Sequence, residues 1–335
     1  MKEKNKSIQL IRIIAMLMII VDHLVYRINM PGQGAIIQIS NSGTLIFLFI
    51  SGLLFGRQEI DNWGKWFKKR IFRICIPMWI FITIDMIVVY FIYGSFSIKY
   101  VFGYLFNVQG FVGGVPGAYH LWFLTLIMIC YIITPLLNLL DRKIKNKKIL
   151  LCILFVFVAM HIALSYCSDL RMTGNHMLGW CCLAILIYCL GYFYGDKIIN
   201  VVSRTRVVVI ETIVVALVVF IILFFRRILD GTVLYQEIIF WYGIVIVDLW
   251  IVSLLCCLGN KITTSKIIDY FDKISYYIYI VHGLAILLVD LYIAKVLTAP
   301  QYVAINILVT IVFANLLFFV SSLVYKYCLN GKKND

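Results

Sequence analysis

Charge is scarce in this chain. Asp, Glu, Lys and Arg make up 14% of its 335 residues, against 63% hydrophobic residues. Soluble globular domains carry roughly a quarter charged residues, so that class is excluded. No polar stretch leaves room for a separate soluble domain, and there is no low-complexity linker and no internal repeat. The ten cysteines contain no Cys-x-x-Cys spacing. Most lie inside apolar runs, as Cys181–Cys182 and Cys256–Cys257 do, and read as small packing residues rather than disulfides or a metal site. No metal is expected, and nucleic acid is not an expected partner.

What the chain has is a succession of apolar runs about twenty residues long, enough to cross a bilayer core of roughly 30 Å as α-helix. They predict an all-α, polytopic membrane protein of about ten transmembrane helices, a single membrane-embedded domain over 1–335. The spans fall near 8–28, 38–56, 74–94, 120–140, 150–167, 177–195, 207–225, 236–259, 273–294 and 302–325. Basic residues ahead of the first run imitate a signal peptide. Yet that run carries Arg12, Asp22 and His23 and has no small-residue cleavage site, so it reads as a retained helix.

Basic residues are held on the cytoplasmic side of membrane proteins. With the N-terminus inside, only Arg27, Lys99, Arg171, Arg226, Arg227 and Lys295 of the 30 Lys and Arg fall outside. Both termini are therefore expected in the cytoplasm. The net charge of +14 is mostly this topology signal, and a basic inner face attracts anionic lipid headgroups or an anionic cosubstrate. Two stretches interrupt the alternation of span and short loop. Residues 57–73 mix Trp63, Trp66 and Phe67 with Lys65, Lys68, Lys69 and Arg70, the pattern of an interfacial helix. Residues 95–119, rich in glycine and aromatics, suggest a re-entrant or lid-like element on the outside.

Polar groups inside spans carry the chemical information, because burying them in hydrocarbon costs several kcal/mol. Arg12 and His23 are eleven residues apart, which places them on one face of the first helix, about 16 Å apart in rise. That face offers a cation near the inner surface and a proton-transfer group further out. The bland account is equally simple, with Arg12 snorkelling and His23 hydrogen-bonding a neighbouring helix. Asp22 points about 100° away from His23, so a direct pair is not implied. The run from Phe47 to Leu54 contains Ser51-Gly52, which reads as close helix packing. Arg70 and Arg73 share a helical face ahead of Pro77, and their forked guanidinium groups suit bidentate phosphate binding, against a background of ordinary inside-positive charge. Ser275, Tyr279 and His282 fall on one face of the ninth helix. His120 opens the fourth helix, where it can meet substrate. His161 and His176 lack a supporting constellation and read as structural or surface groups.

In their order and spacing these motifs resemble the acyltransferase-3 family of integral membrane acyltransferases. The resemblance rests on Arg12 to His23, the Phe-rich run ending Ser51-Gly52, the Arg70/Arg73/Pro77 element, His120-Leu121-Trp122-Phe123-Leu124, and Ser275-Tyr276…Tyr279…His282. It implies a ten-helix protein of the bacterial plasma membrane that moves an acyl group, usually acetyl, from cytoplasmic acyl-CoA to a hydroxyl of a cell-envelope glycan or lipid-linked sugar. It further implies that His23 is catalytic and that Arg12, Arg70 and Arg73 belong to the donor site. His120, Trp122, Ser275, Tyr279 and His282 are then substrate-site candidates. Acetyl-CoA or another acyl-CoA is then the expected cosubstrate, and no bound cofactor is expected. Ile127 and Met128 stand where relatives often carry acidic residues, which argues against a catalytic carboxylate at that place. No appended hydrolase-like domain is expected, which leaves two expectations, an envelope-assembly partner protein or modification of the acceptor unaided.

The alternative is a transporter of an amino acid or polysaccharide intermediate, since polar groups mid-membrane fit that too. The lack of an inverted repeat weighs against it. A sensor or assembly partner without activity is the third reading, opposed by the joint presence of His23 and the Arg70/Arg73 pair.

Overall fold

A computed structural model describes residues 6–28, 30–144, 147–170, 177–262 and 265–330, and all regular structure among them is helical. The helices are α1 (Lys6–Val25), α2 (Gln33–Ser40), α3 (Gly43–Gly56), α4 (Trp63–Tyr93), α5 (Ile98–Leu105), α6 (Gln109–Val112), α7 (Trp122–Lys143), α8 (Lys147–Leu170), α9 (Met177–Val202), α10 (Thr205–Leu229), α11 (Trp241–Gly259), α12 (Lys266–Tyr292) and α13 (Ala299–Asn330). Among the described residues nine helical segments are long and apolar enough to cross a membrane, and α3 is a shorter apolar one. The chain is a polytopic all-α membrane protein. Its outer surface agrees: Ile213 and Phe220 on α10 are 69% and 64% exposed, which suits lipid and not water.

Three local features depart from the regular spans expected. The second span is broken into α2 and α3 at Asn41–Ser42. The break has a polar cause, since Ser42 Oγ lies 2.6 Å from the buried Asp248 Oδ1 and 2.8 Å from the Ile39 carbonyl. The expected interfacial segment and the third span are one helix, α4. Asn62 caps it by accepting a hydrogen bond from the Lys65 N–H (2.9 Å), the intervening Lys and Arg are good helix formers, and Gly94 ends it with φ +78°. Pro77 sits within α4 and deprives the Arg73 carbonyl of its usual donor. The Tyr325 and Tyr276 hydroxyls donate to the carbonyls on either side, Phe72 and Ile74 (both 2.8 Å). Finally, α11 is preceded by a π-helical turn over Leu234–Phe240.

The chain contacts group into two compact units. The first comprises Met1–Ile19, Gln38–Glu59 and Ile129–Asp272. Its α3 and α9 pack through reciprocal glycines four residues apart. A Cβ on Gly52 or Gly56 would strike the backbone at Tyr188 or Tyr192, and one on Gly191 would strike the Phe49 carbonyl. Small residues at this spacing let helix backbones touch, which replaces the hydrophobic drive that lipid removes. Gly52 thus has the packing role that the Ser51-Gly52 composition suggested.

The second unit comprises Ile20–Ile37, Ile60–Met128 and Lys273–Asp335. Here the residues between α4 and α7 are no simple loop. α5 and α6 are followed by a turn in which Gly113 (φ +92°) and Gly117 (φ +85°) adopt left-handed backbone, then by a 3-10 turn over Tyr119–Leu121. Gly113 and Gly117, two of the glycines in which 95–119 is rich, are those this turn requires.

Candidate functional site

Three of the five histidines meet in the second unit. His23 comes from the end of α1, His120 from the turn before α7, and His282 from the middle of α12. The His120 and His282 ring centroids are 4.1 Å apart; His23 stacks on His282 at 5.2 Å and meets His120 at 6.1 Å. The approach is made possible by Gly283, where a Cβ would run into the His120 ring and the Gly117 carbonyl.

Two of the rings have their proton positions set by the backbone. His120 Nε2 lies 3.1 Å from the Ile280 carbonyl and His282 Nδ1 2.7 Å from the Tyr279 carbonyl. A carbonyl only accepts, so those nitrogens donate, and in the neutral rings Nδ1 of His120 and Nε2 of His282 carry lone pairs. Among the described residues His282 Nε2 is buried with no hydrogen-bond partner. Tyr279 completes the frame by donating to the His120 carbonyl (2.6 Å), and Phe123 packs edge-on against the Tyr279 ring.

His23 differs from the other two in access. Its side chain is 40% exposed, whereas His282 is fully buried. Its Nδ1 stands 4.0 Å from Asp22 Oδ2, an ion-pair distance if the ring is protonated. The two neighbours in sequence do face each other, although helical phase alone leaves them about 100° apart. Near the same end of α1, Arg27 pairs with Asp290 (3.5 Å), which accepts from the Tyr302 hydroxyl (2.7 Å). Outside the spans, Tyr104 on α5 is buried, and that burial pushes its phenol well up, so it stays a hydroxyl.

The remaining candidates lie elsewhere. Arg70 and Arg73 are on α4, with the Arg70 guanidinium 5.6 Å from the Trp66 ring centre and Arg73 exposed. Arg12 belongs to the first unit, where it pairs with Asp272 (3.1 Å) and keeps 35% of its side chain exposed. Trp122 opens α7, half-buried beside Phe123. Ser275 is buried two helical turns before His282 on α12. His161 is buried in the first unit, with Nδ1 3.2 Å from the Tyr242 hydroxyl and Nε2 3.8 Å from Glu237. The π-helical turn explains this contact, because its i to i+5 spacing draws Glu237 and Tyr242 towards one side. His176 lies outside the described residues.

Sequence reasoning passed over Asp85 and Glu237. The signal was present in each case, an acidic residue within a predicted apolar span. Asp85 is fully buried on α4, and its Oδ1 occupies the space a side chain at Gly117 would fill.

A family model described as an acyltransferase domain matches residues 5–326. No curated protein and no solved structure matches the chain.

Proposed function

The chain belongs to the acyltransferase-3 family and is a membrane acyltransferase; from that premise we propose that it moves an acetyl group from cytoplasmic acetyl-CoA to a hydroxyl of a cell-envelope glycan or lipid-linked sugar in a bacterial plasma membrane. The observation that carries this reading is the half-exposed His23 packed against two buried imidazoles, with the Asp22 carboxylate 4.0 Å from its Nδ1.

His23 takes the proton of the acceptor hydroxyl as the oxygen attacks the thioester carbonyl. The new C–O ester bond forms, the C–S bond breaks, and the imidazolium returns the proton to the CoA thiolate. Asp22 stabilises the positive ring in between. In the two-step variant His23 itself accepts the acyl group and passes it on. His120 and His282 hold His23 in place from behind, and their own positions are fixed by the Ile280 and Tyr279 carbonyls. Arg70 and Arg73, on the end of α4 that the basic residues assign to the cytoplasm, take the phosphates of CoA. Arg12, whose partner within the first unit is Asp272, is the third arginine assigned to the donor.

The test is CoA release by the purified protein in nanodiscs supplied with acetyl-CoA. Replacing Arg70 and Arg73 by Lys keeps the charge and loses the guanidinium fork, so KM for acetyl-CoA should rise about tenfold, a loss of roughly 1.4 kcal/mol of binding. No CoA release by the wild type would remove the donor assignment.

A further inference from the structure

Asp85 is an ionisable group in the last third of α4, fully buried, and among the described residues neither of its carboxyl oxygens has a hydrogen-bond partner. A group of this kind in a membrane span is expensive to keep and marks function more often than packing. Its surroundings belong to the histidine site. Oδ1 lies against Gly117, whose carbonyl packs on Gly283, the residue that lets His120 and His282 meet. The cover over Asp85 is the turn of residues 113–118, built on two left-handed glycines. One side chain fastens that turn: the Tyr104 hydroxyl donates to the Ala118 carbonyl (3.1 Å) and accepts from the Val115 N–H (3.2 Å).

We propose that Asp85 is the acceptor-binding residue of the transfer site, taking a hydrogen bond from a hydroxyl of a polyhydroxylated acceptor once the 113–118 turn lifts. The inference rests on the transfer reading for the acceptor's chemical class and on the geometry for its place. A hydroxyl is the fitting partner because it satisfies a carboxyl oxygen without bringing a second charge into an apolar interior. A sugar bound there presents another of its hydroxyls towards the imidazoles, which the shared wall of Gly117 and Gly283 sets alongside.

The experiment uses the full chain in nanodiscs, with octyl glucoside as the acceptor probe and acetyl-CoA as donor. Asp85→Asn, near-isosteric, should raise KM for the glucoside at least tenfold while KM for acetyl-CoA moves less than twofold, and Asp85→Glu should recover part of the loss. An unchanged glucoside KM in Asp85→Asn overturns the proposal. A parallel measurement on the wild type needs no variant to fold and no turnover. Modification of Asp85 by the apolar reagent dicyclohexylcarbodiimide is followed by mass spectrometry with and without the glucoside. At least threefold protection supports hydroxyl binding at Asp85, even where no acetyl transfer is seen and the transfer reading itself fails. Absence of protection overturns the proposal, even where transfer proceeds.

Discussion

Tyr279 reaches from α12 to hold the His120 carbonyl, and at 2.6 Å this is among the shortest hydrogen bonds of the site. Tyr279→Phe leaves that buried carbonyl without its donor, at a cost of about 1–3 kcal/mol. The expected outcome is a lower unfolding midpoint together with slower turnover, read by thermal denaturation and CoA release on the same preparation. Full turnover at a lowered midpoint would limit Tyr279 to a packing role. Each of the three histidines stood out in the sequence as a polar residue at or near an apolar run. Their meeting did not. It depends on Gly283 yielding space to His120 and on a glycine turn between α6 and α7, both products of tertiary packing with no fixed spacing in the chain. Asp85 was legible by the same rule that singled out His23, but it lacked a neighbouring motif to draw attention to it.

Helices show a similar division. Long apolar runs specify where α7, α8, α9 and α10 lie, because only a helix satisfies its own backbone in lipid. Basic residues obscured the start of α4, since the Lys and Arg that mark a membrane surface are also good helix formers. The π-helical turn at Leu234–Phe240 had no sequence signature beyond Glu237 itself. The glycine pairs of α3 and α9 were visible in part, as Ser51-Gly52, while their partners at Gly191 and Gly195 emerge only from the packing. Gly191→Val puts a branched side chain against the Phe49 carbonyl and should destabilise the first unit by about 1–3 kcal/mol. Thermal unfolding in detergent checks this; an unchanged midpoint would mean that α3 and α9 are free to move apart.

For the molecule as a whole, sidedness joins the site to its substrates. In the proposed orientation, drawn from the distribution of basic residues, both termini and the end of α4 that carries Arg70 and Arg73 face the cytoplasm. Reporter fusions at the two ends should both report a cytoplasmic location. A terminus found outside would separate the arginines from any cytoplasmic donor. The central claim is that His23 carries the proton or the acyl group in transfer from acetyl-CoA. Its most direct test is acetyl-CoA turnover by the full chain in nanodiscs, wild type against His23→Ala. The account predicts a loss of 10²-fold or more, the usual contribution of a general base, with the unfolding midpoint preserved. Turnover unchanged in His23→Ala would contradict it.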